Sequence, residues 1–265
     1  MTIKVLHLID SGGLYGAEKM LLALVSEQIK QGLEPMILSA AEPDIEHKAL
    51  ETEARRLGLP VIPWRMKPGF NLRDSLAIIR WAQSEGYEVF HSHGYKFNVL
   101  IGLWPERIRK IPLMATLHGY VKAPRFTKSW LYESLDRLAL RQMRCVVVVA
   151  EAMKKDIPRG LAESGSVRVI PNGLDTALLE KAANEPLESE LASFFENHEP
   201  VVLGVGRLSP EKGFDRLIEA FKAVKDRHTD AGLVIIGEGN QRKSLEQGIR
   251  KLGLTDSVIM PGYYE

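Results

Sequence analysis

Apolar and polar positions along the chain switch repeatedly between two periods. Short apolar runs, Ile3 to Ile9, "PMILSA", "VIPW", "EVFHSH", "PLMATLHG" and "CVVVVA", have the length and composition of strands. Between them, Leu21, Leu24, Val25 and Ile29 recur at helical spacing, as do the apolar residues of "HKALETEARRLG" and "DSLAIIRWAQSEG". A further long helix is predicted from Trp130 to Arg141. Strands alternating with helices of ten or more residues predict βαβ units and a parallel sheet. Several strands are apolar on both faces, as a sheet covered by helices requires.

After "VRVIPNGLD" the pattern changes. Residues 176–199 are polar and acidic, partly helical, and carry no strand signal. A second series begins at Val201: "VVLGVGRL", a helix to about Arg227, "GLVIIGEG", a helix over 241–251, and "VIMPGY". The expected class is α/β, with two Rossmann-like domains. Residues 1–175 form the first and 176–199 an interdomain segment. Residues 200–265 supply only three strands of a second sheet, where such sheets commonly have about six. An incomplete second sheet exposes an edge and an apolar face, so self-association is expected.

Composition narrows the function. The 265 residues are 45% hydrophobic and 26% charged, with a formal net charge of +1. That balance provides no global field for nucleic acid or an anionic membrane. A single cysteine, Cys145, excludes an internal disulfide and a multi-cysteine zinc site. The N-terminal apolar run is too short for a signal sequence, and no run approaches a membrane span. The expected location is cytoplasmic, including the inner face of the membrane as a peripheral site.

The chemistry concentrates at "GRLSPEKGFDRLIEAF", residues 206–221. An apolar strand runs into Gly206 and Arg207; Lys212 and Gly213 then precede an amphipathic helix. Helix N-termini at the carboxyl edge of a parallel sheet favour anions, because free N–H groups and the helix dipole point there. Arg207 forks onto phosphate oxygens and Lys212 supplies a flexible point charge. The alternative is two solvated surface charges, one neutralised by Glu211. The first loop, "DSGGLYGAEK", carries Gly12, Gly13 and Gly16 at the wrong spacing for a dinucleotide fingerprint, so no such cofactor is expected.

The stretch "VGRLSPEKGFDRLIEAF", followed by "LVIIGEGNQRKSLEQ", resembles the donor-binding half of the family-4 (group 1) retaining glycosyltransferases of GT-B fold. "GGLYGAEKMLLAL", "TLHG" and "VIPNGLD" resemble the same family in the same order. The resemblance implies transfer of a sugar from a nucleotide-diphosphate sugar to a saccharide or lipid-linked acceptor, as in cell-envelope polysaccharide synthesis. It implies that Gly206, Arg207 and Lys212 hold the donor diphosphate between the domains. By the same resemblance, His118 is expected to face the donor sugar as the catalytic residue, and Gly12, Gly13 and Gly16 to form a donor/acceptor loop. It further implies that Gly237, Glu238, Gly239, Gly262 and Tyr263 border the nucleotide and that Asn172 belongs to the interdomain turn.

No metal or other cofactor is implied. His91 and His93 in "FHSHG" alternate along a strand, but no third ligand has suitable spacing, so these two and His7 are taken as structural. The segment "KAPRFTKSW", with Lys122, Arg125, Phe126, Lys128 and Trp130, is either a solvated loop or a grip on a phosphorylated or lipid-linked acceptor. Two departures from the family stand out. Ala150 replaces a helix-capping serine. The family's paired glutamates, seven residues apart, fall after Glu265. The chain is therefore expected to be truncated, and one alternative is a non-catalytic nucleotide- or acceptor-binding module left by that truncation; another is a related two-Rossmann enzyme, a nucleotide-sugar epimerase.

Overall fold

The computed structural model describes residues 2–10, 12–119, 127–163, 165–173 and 176–264. The chain divides into two compact units, Met1–Asp175 and Thr176–Glu265. Seven strands belong to the first: β1 (Lys4–Ile9), β2 (Glu34–Ala41), β3 (Val61–Arg65), β4 (Val89–Ser92), β5 (Leu113–Leu117), β6 (Cys145–Val148) and β7 (Val167–Val169). They form one parallel sheet in the order β3-β2-β1-β4-β5-β6-β7. The chain thus winds outward from β1 in both directions, and β1 and β4 flank the switch point where ligands bind in such sheets.

Burial on both faces explains the continuous apolar runs. Leu6 and Leu8 of β1 join Leu38, Phe90, Leu113 and Val146 in the larger core, against Ile78, Phe97 and Leu140 from helices. Ile9 and Ile37 point the other way, onto Leu21 and Val25 of the Gly16–Lys30 helix and Leu50 of the Ala49–Arg56 helix. Arg109 is fully buried, and no carboxylate among the described residues makes a salt bridge to it. Its guanidinium donates instead to the carbonyls of Trp104 (2.9 Å), Ile111 (3.1 Å) and Gln142 (3.1 Å). Ala150 occupies the N-cap of a short 3-10 helix, Glu151–Asp156, and provides no side-chain cap.

The second unit holds β8 (Val201–Val205), β9 (Gly232–Ile236) and β10 (Val258–Gly262), a parallel sheet in the order β10-β9-β8. Phe214, Ile218 and Phe221 of the Phe214–Lys225 helix pack on Leu233 and Ile235, with Leu245 and Ile249 of the Arg242–Lys251 helix beside them. The opposite face receives Leu191 and Phe194 of the Ser189–Asn197 helix against Val234. Part of the polar stretch 176–199 is therefore a layer of the second unit, and a Cβ at Gly232 would lie 2.7 Å from the Phe194 ring. At the sheet edge, Leu203 and Val205 of β8 remain exposed.

Candidate functional site

At the carboxyl end of β8 the chain makes a turn tied by backbone to the turn after β9. Gly206 N–H donates to the Ile236 carbonyl (2.9 Å), Leu208 N–H to Glu238 (2.9 Å) and Gln241 N–H to Leu208 (3.1 Å). Glycines permit this approach. A Cβ at 237 would stand 1.9 Å from the Gly206 carbonyl oxygen, and one at 239 would stand 2.3 Å from that of Leu208. Gly237 and Gly239 thus have a backbone reason to be glycine, independent of any nucleotide. Gly262 has φ 105° and lies beside Glu238, whose carboxylate accepts from Arg242 (2.8 Å).

On this turn the cations stand outward. Lys212 ends a single 3-10 turn, Pro210–Lys212, and Gly213 in left-handed conformation (φ 67°) starts the Phe214–Lys225 helix. Arg207 and Lys212 are both exposed. The Arg207 guanidinium donates to Glu211 at 3.2 Å, and the Ser209 hydroxyl donates to the same carboxylate oxygen at 2.6 Å. The Ser209 hydroxyl is the main cause that holds the Glu211 carboxyl below its ordinary value, with Arg207 adding to it. Glu211 thus pairs Arg207 as the solvated-charge alternative expects, but in an exposed contact worth little. Tyr263 is exposed beside Gly262.

In the first unit, parallel pairing of β1 with β4 sets His7 opposite His91. His93 follows β4 and His118 follows β5, on the face covered by the Gly16–Lys30 helix. Ring nitrogens of His7, His91 and His93 lie within 4.8 Å of one another. The third histidine that linear spacing did not supply comes from register. Each ring has at least one hydrogen-bonded nitrogen: His7 Nδ1 meets His93 Nε2 at 3.0 Å, His7 Nε2 meets the Gln28 amide oxygen at 2.7 Å, and His91 Nε2 meets the Thr116 hydroxyl at 2.8 Å. Burial pushes His7 down to about 4 and holds His91 and His93 well below the usual imidazole value. His118 is half-buried and likewise lowered by burial; its Nε2 lies 3.4 Å from His93 Nδ1, and its Nδ1 is buried with no partner among the described residues.

Gly12 and Gly13 form the loop before that helix, and Gly16 is its first residue. Glu18 reaches back to accept from the Tyr15 N–H at 2.8 Å, the capping that fixes the loop's exit. Beside Gly12 opens a cavity of about 400 Å³ lined also by Asp10, Lys48 and Lys96. Asp10 meets Lys96 at 2.8 Å and Lys48 at 3.4 Å, while Lys48 donates to the Ala40 carbonyl at 2.5 Å. Burial lowers the Lys48 ammonium, and Asp10 opposes that shift. Nothing in the sequence pattern marked Lys48 or Lys96, since they converge only when β1, β2 and β4 pair. Asn172 is exposed. Lys122, Arg125 and Phe126 lie outside the described residues.

Two parallel-sheet units of Rossmann type, the second with a glycine-laced turn bearing two cations, define the GT-B class of glycosyltransferase fold. HepE of Anabaena, solved with UDP, superposes with a TM-score of 0.77 at 21% identity, covering 99% of this chain and 70% of that one. Residues 15–178 match the profile of Glycosyltransferase Family 4, and residues 188–265 that of Glycosyl transferases group 1. The chain belongs to Glycosyltransferase Family 4. An uncharacterised glycosyltransferase of Methanocaldococcus jannaschii is 29% identical over 140 residues, which are 51% of this chain and 34% of that protein. Alpha-monoglucosyldiacylglycerol synthase of Streptococcus pneumoniae is 24% identical over 251 residues, 90% of this chain and 56% of that one. The chain thus spans roughly a third to a half of the length of such relatives. No helix among the described residues is long and apolar enough to cross a membrane.

Proposed function

We propose that the chain carries the donor- and acceptor-binding machinery of a retaining glycosyltransferase. Arg207 and Lys212 hold the diphosphate of a nucleotide sugar, with Gly206 in the turn that presents them. Gly237, Glu238, Gly239, Gly262 and Tyr263 border the nucleotide, and His118 accepts a donor-sugar hydroxyl. The observation that carries this reading is the exposed cation pair at the carboxyl end of β8, on a turn locked by backbone bonds. A neighbour of the same fold solved with UDP supports a uridine nucleotide.

Chemistry follows from the groups present. The bond from the anomeric carbon to the leaving phosphate oxygen breaks, and a bond to the acceptor oxygen forms on the same face. The departing diphosphate takes the acceptor's proton, so no protein base is needed. Arg207 and Lys212 stabilise the charge that develops on that phosphate. The reaction is metal-independent in this reading, since the closest imidazole nitrogens are one another's hydrogen-bond partners. Acceptors bind at the first unit, where the cavity beside Gly12 offers Asp10 and two lysines. A relative named for a glycosylated diacylglycerol supports a lipid-linked acceptor at the cytoplasmic membrane face. The exposed β8 edge, with Leu203 and Val205, supports self-association, which light scattering would detect as mass above one chain.

Calorimetry with UDP and GDP tests the reading directly. Two charge-assisted contacts supply about 3–6 kcal/mol before ordering costs, and micromolar affinity needs about 8 kcal/mol. Binding of this chain should therefore be near millimolar and vanish in the Arg207→Ala/Lys212→Ala double variant. Equal binding by the double variant, or no binding of either nucleotide, overturns it. Turnover of a nucleotide-sugar panel then separates transferase from binding module, and product formed without acceptor would indicate an epimerase.

A further inference from the structure

The histidines form a chain whose hydrogen-bond direction is set at one end. A neutral imidazole carries one N–H, so each ring donates from one nitrogen and accepts at the other. The amide oxygen of Gln28, on the Gly16–Lys30 helix, stands 2.7 Å from His7 Nε2 and can only accept. That places the His7 proton on Nε2 and leaves Nδ1 a lone pair. His93 Nε2, 3.0 Å from that lone pair, must then donate, and His93 Nδ1 becomes an acceptor. His118 Nε2, 3.4 Å further on, donates to it. The chain ends on His118 Nδ1, buried and unpartnered among the described residues.

We propose that Gln28, His7 and His93 are positioning residues that lock His118 into the Nε2–H tautomer, leaving Nδ1 as an obligate hydrogen-bond acceptor. Every imidazole in the chain is pushed toward its neutral form by burial, so the one-proton rule holds throughout at neutral pH. The alternative polarity, all three rings reversed, would leave Gln28's oxygen facing a lone pair. It would also turn His118 Nδ1 into a buried, unpaired donor. A lone pair at Nδ1 selects for a ligand hydroxyl and against a carboxylate. On the reading that His118 faces the donor sugar, a sugar hydroxyl that displaces what covers the buried Nδ1 finds an acceptor there, which favours neutral hexoses over uronates. The selectivity rests on that reading; the tautomer lock does not.

Nitrogen NMR of the 15N-histidine-labelled 265-residue chain at pH 7.5 tests the lock without any nucleotide sugar. His118 and His93 should each show a protonated Nε2 and a pyridine-like Nδ1. Gln28→Lys replaces the acceptor with an ammonium donor, so the proton should move to Nδ1 in all three rings, including His118. Gln28→Glu keeps an acceptor and should keep the original tautomers. A protonated Nδ1 on wild-type His118, averaged signals from both tautomers, or an unmoved proton in Gln28→Lys overturns the proposal. So does a spectrum that changes on adding a chelator, which would mean a metal occupies the ring nitrogens. If Gln28→Lys does not fold, the wild-type and Gln28→Glu spectra still decide. Failure of nucleotide binding would leave these spectra unchanged, so the two readings fail separately.

Discussion

The carbonyl oxygen of Gly206 occupies the space where residue 237 would place a Cβ, 1.9 Å from its ideal position. The contact joins the ends of β8 and β9, and it cannot relax by side-chain rotation because both partners are backbone. Gly237 also has φ 144°, a region L side chains rarely adopt. Gly237→Ala should cost about 2–4 kcal/mol of stability. Gly248, inside the Arg242–Lys251 helix with nothing within 4 Å of its Cβ position, is the internal control. Gly248→Ala should gain about 0.5–1 kcal/mol. Urea melts of both variants check the contrast, and equal effects would remove the backbone contact as an explanation.

Glu211 competes with any anion for Arg207. Its carboxylate accepts from Arg207 at 3.2 Å and from the Ser209 hydroxyl at 2.6 Å. Glu211→Gln removes the charge while keeping an acceptor for Ser209. UDP binding should tighten by about two- to fivefold, the range expected for an exposed pair, with the melting temperature unchanged. Calorimetry gives the answer, and weaker binding would make Glu211 a ligand contact.

Stability should fall with acid earlier than carboxylates alone explain. His7 titrates at about 4 when folded, and His91 and His93 lie well below the ordinary 6.5, because burial opposes the charged form. The unfolded chain therefore binds these protons first, below about pH 6.5. Stability is complete above that value and is lost as pH drops toward the folded pKa. Each ring contributes a slope of about 1.4 kcal/mol per pH unit in that window. Carboxylates held down by partners, such as Glu51 with Arg65 and Glu106 with Arg144, act only below their ordinary 4.5. Urea melts between pH 6.5 and 5 should show the slope. His93→Gln should reduce it by about one proton; no change would mean the ring is solvated.

What the sequence shows is local, and what it hides is register. Ile3 to Ile9 and Val146 to Val149 announce strands buried on both faces, and their alternation with helices implies a parallel sheet. The histidine chain depends on His7 lying beside His91, 84 positions apart, which no spacing rule reports. Gln28 looks like one more polar residue on a helix until that helix covers β1. Gly237 and Gly239 stand out as glycines after a strand, but sequence suggests a ligand where the structure supplies the Gly206 and Leu208 carbonyls. Leu191 and Phe194, three residues apart, are the only trace that an acidic stretch would dock on the second sheet. Ala150 reads the same in both: the departure from a capping serine leaves a helix start with no side-chain cap.

Arg109 is a buried cation within the charged stretch "ERIRK". In the fold the residue is 1% exposed and its guanidinium serves three carbonyls, those of Trp104, Ile111 and Gln142. Glu106 acts on it only through space, so its worth lies mainly in satisfying buried acceptors that water cannot reach. Arg109→Met keeps most of the stem's volume and removes all three donors. The loss should be about 3–5 kcal/mol, because orphaned carbonyls cost more than the bonds themselves returned. Arg109→Lys retains the charge but replaces the planar fork with a single ammonium, which cannot span three separated carbonyls. It should recover no more than about half of that loss. Urea melts of the two variants give both numbers. A methionine variant as stable as the wild type would show that water, rather than arginine, satisfies this corner of the first unit.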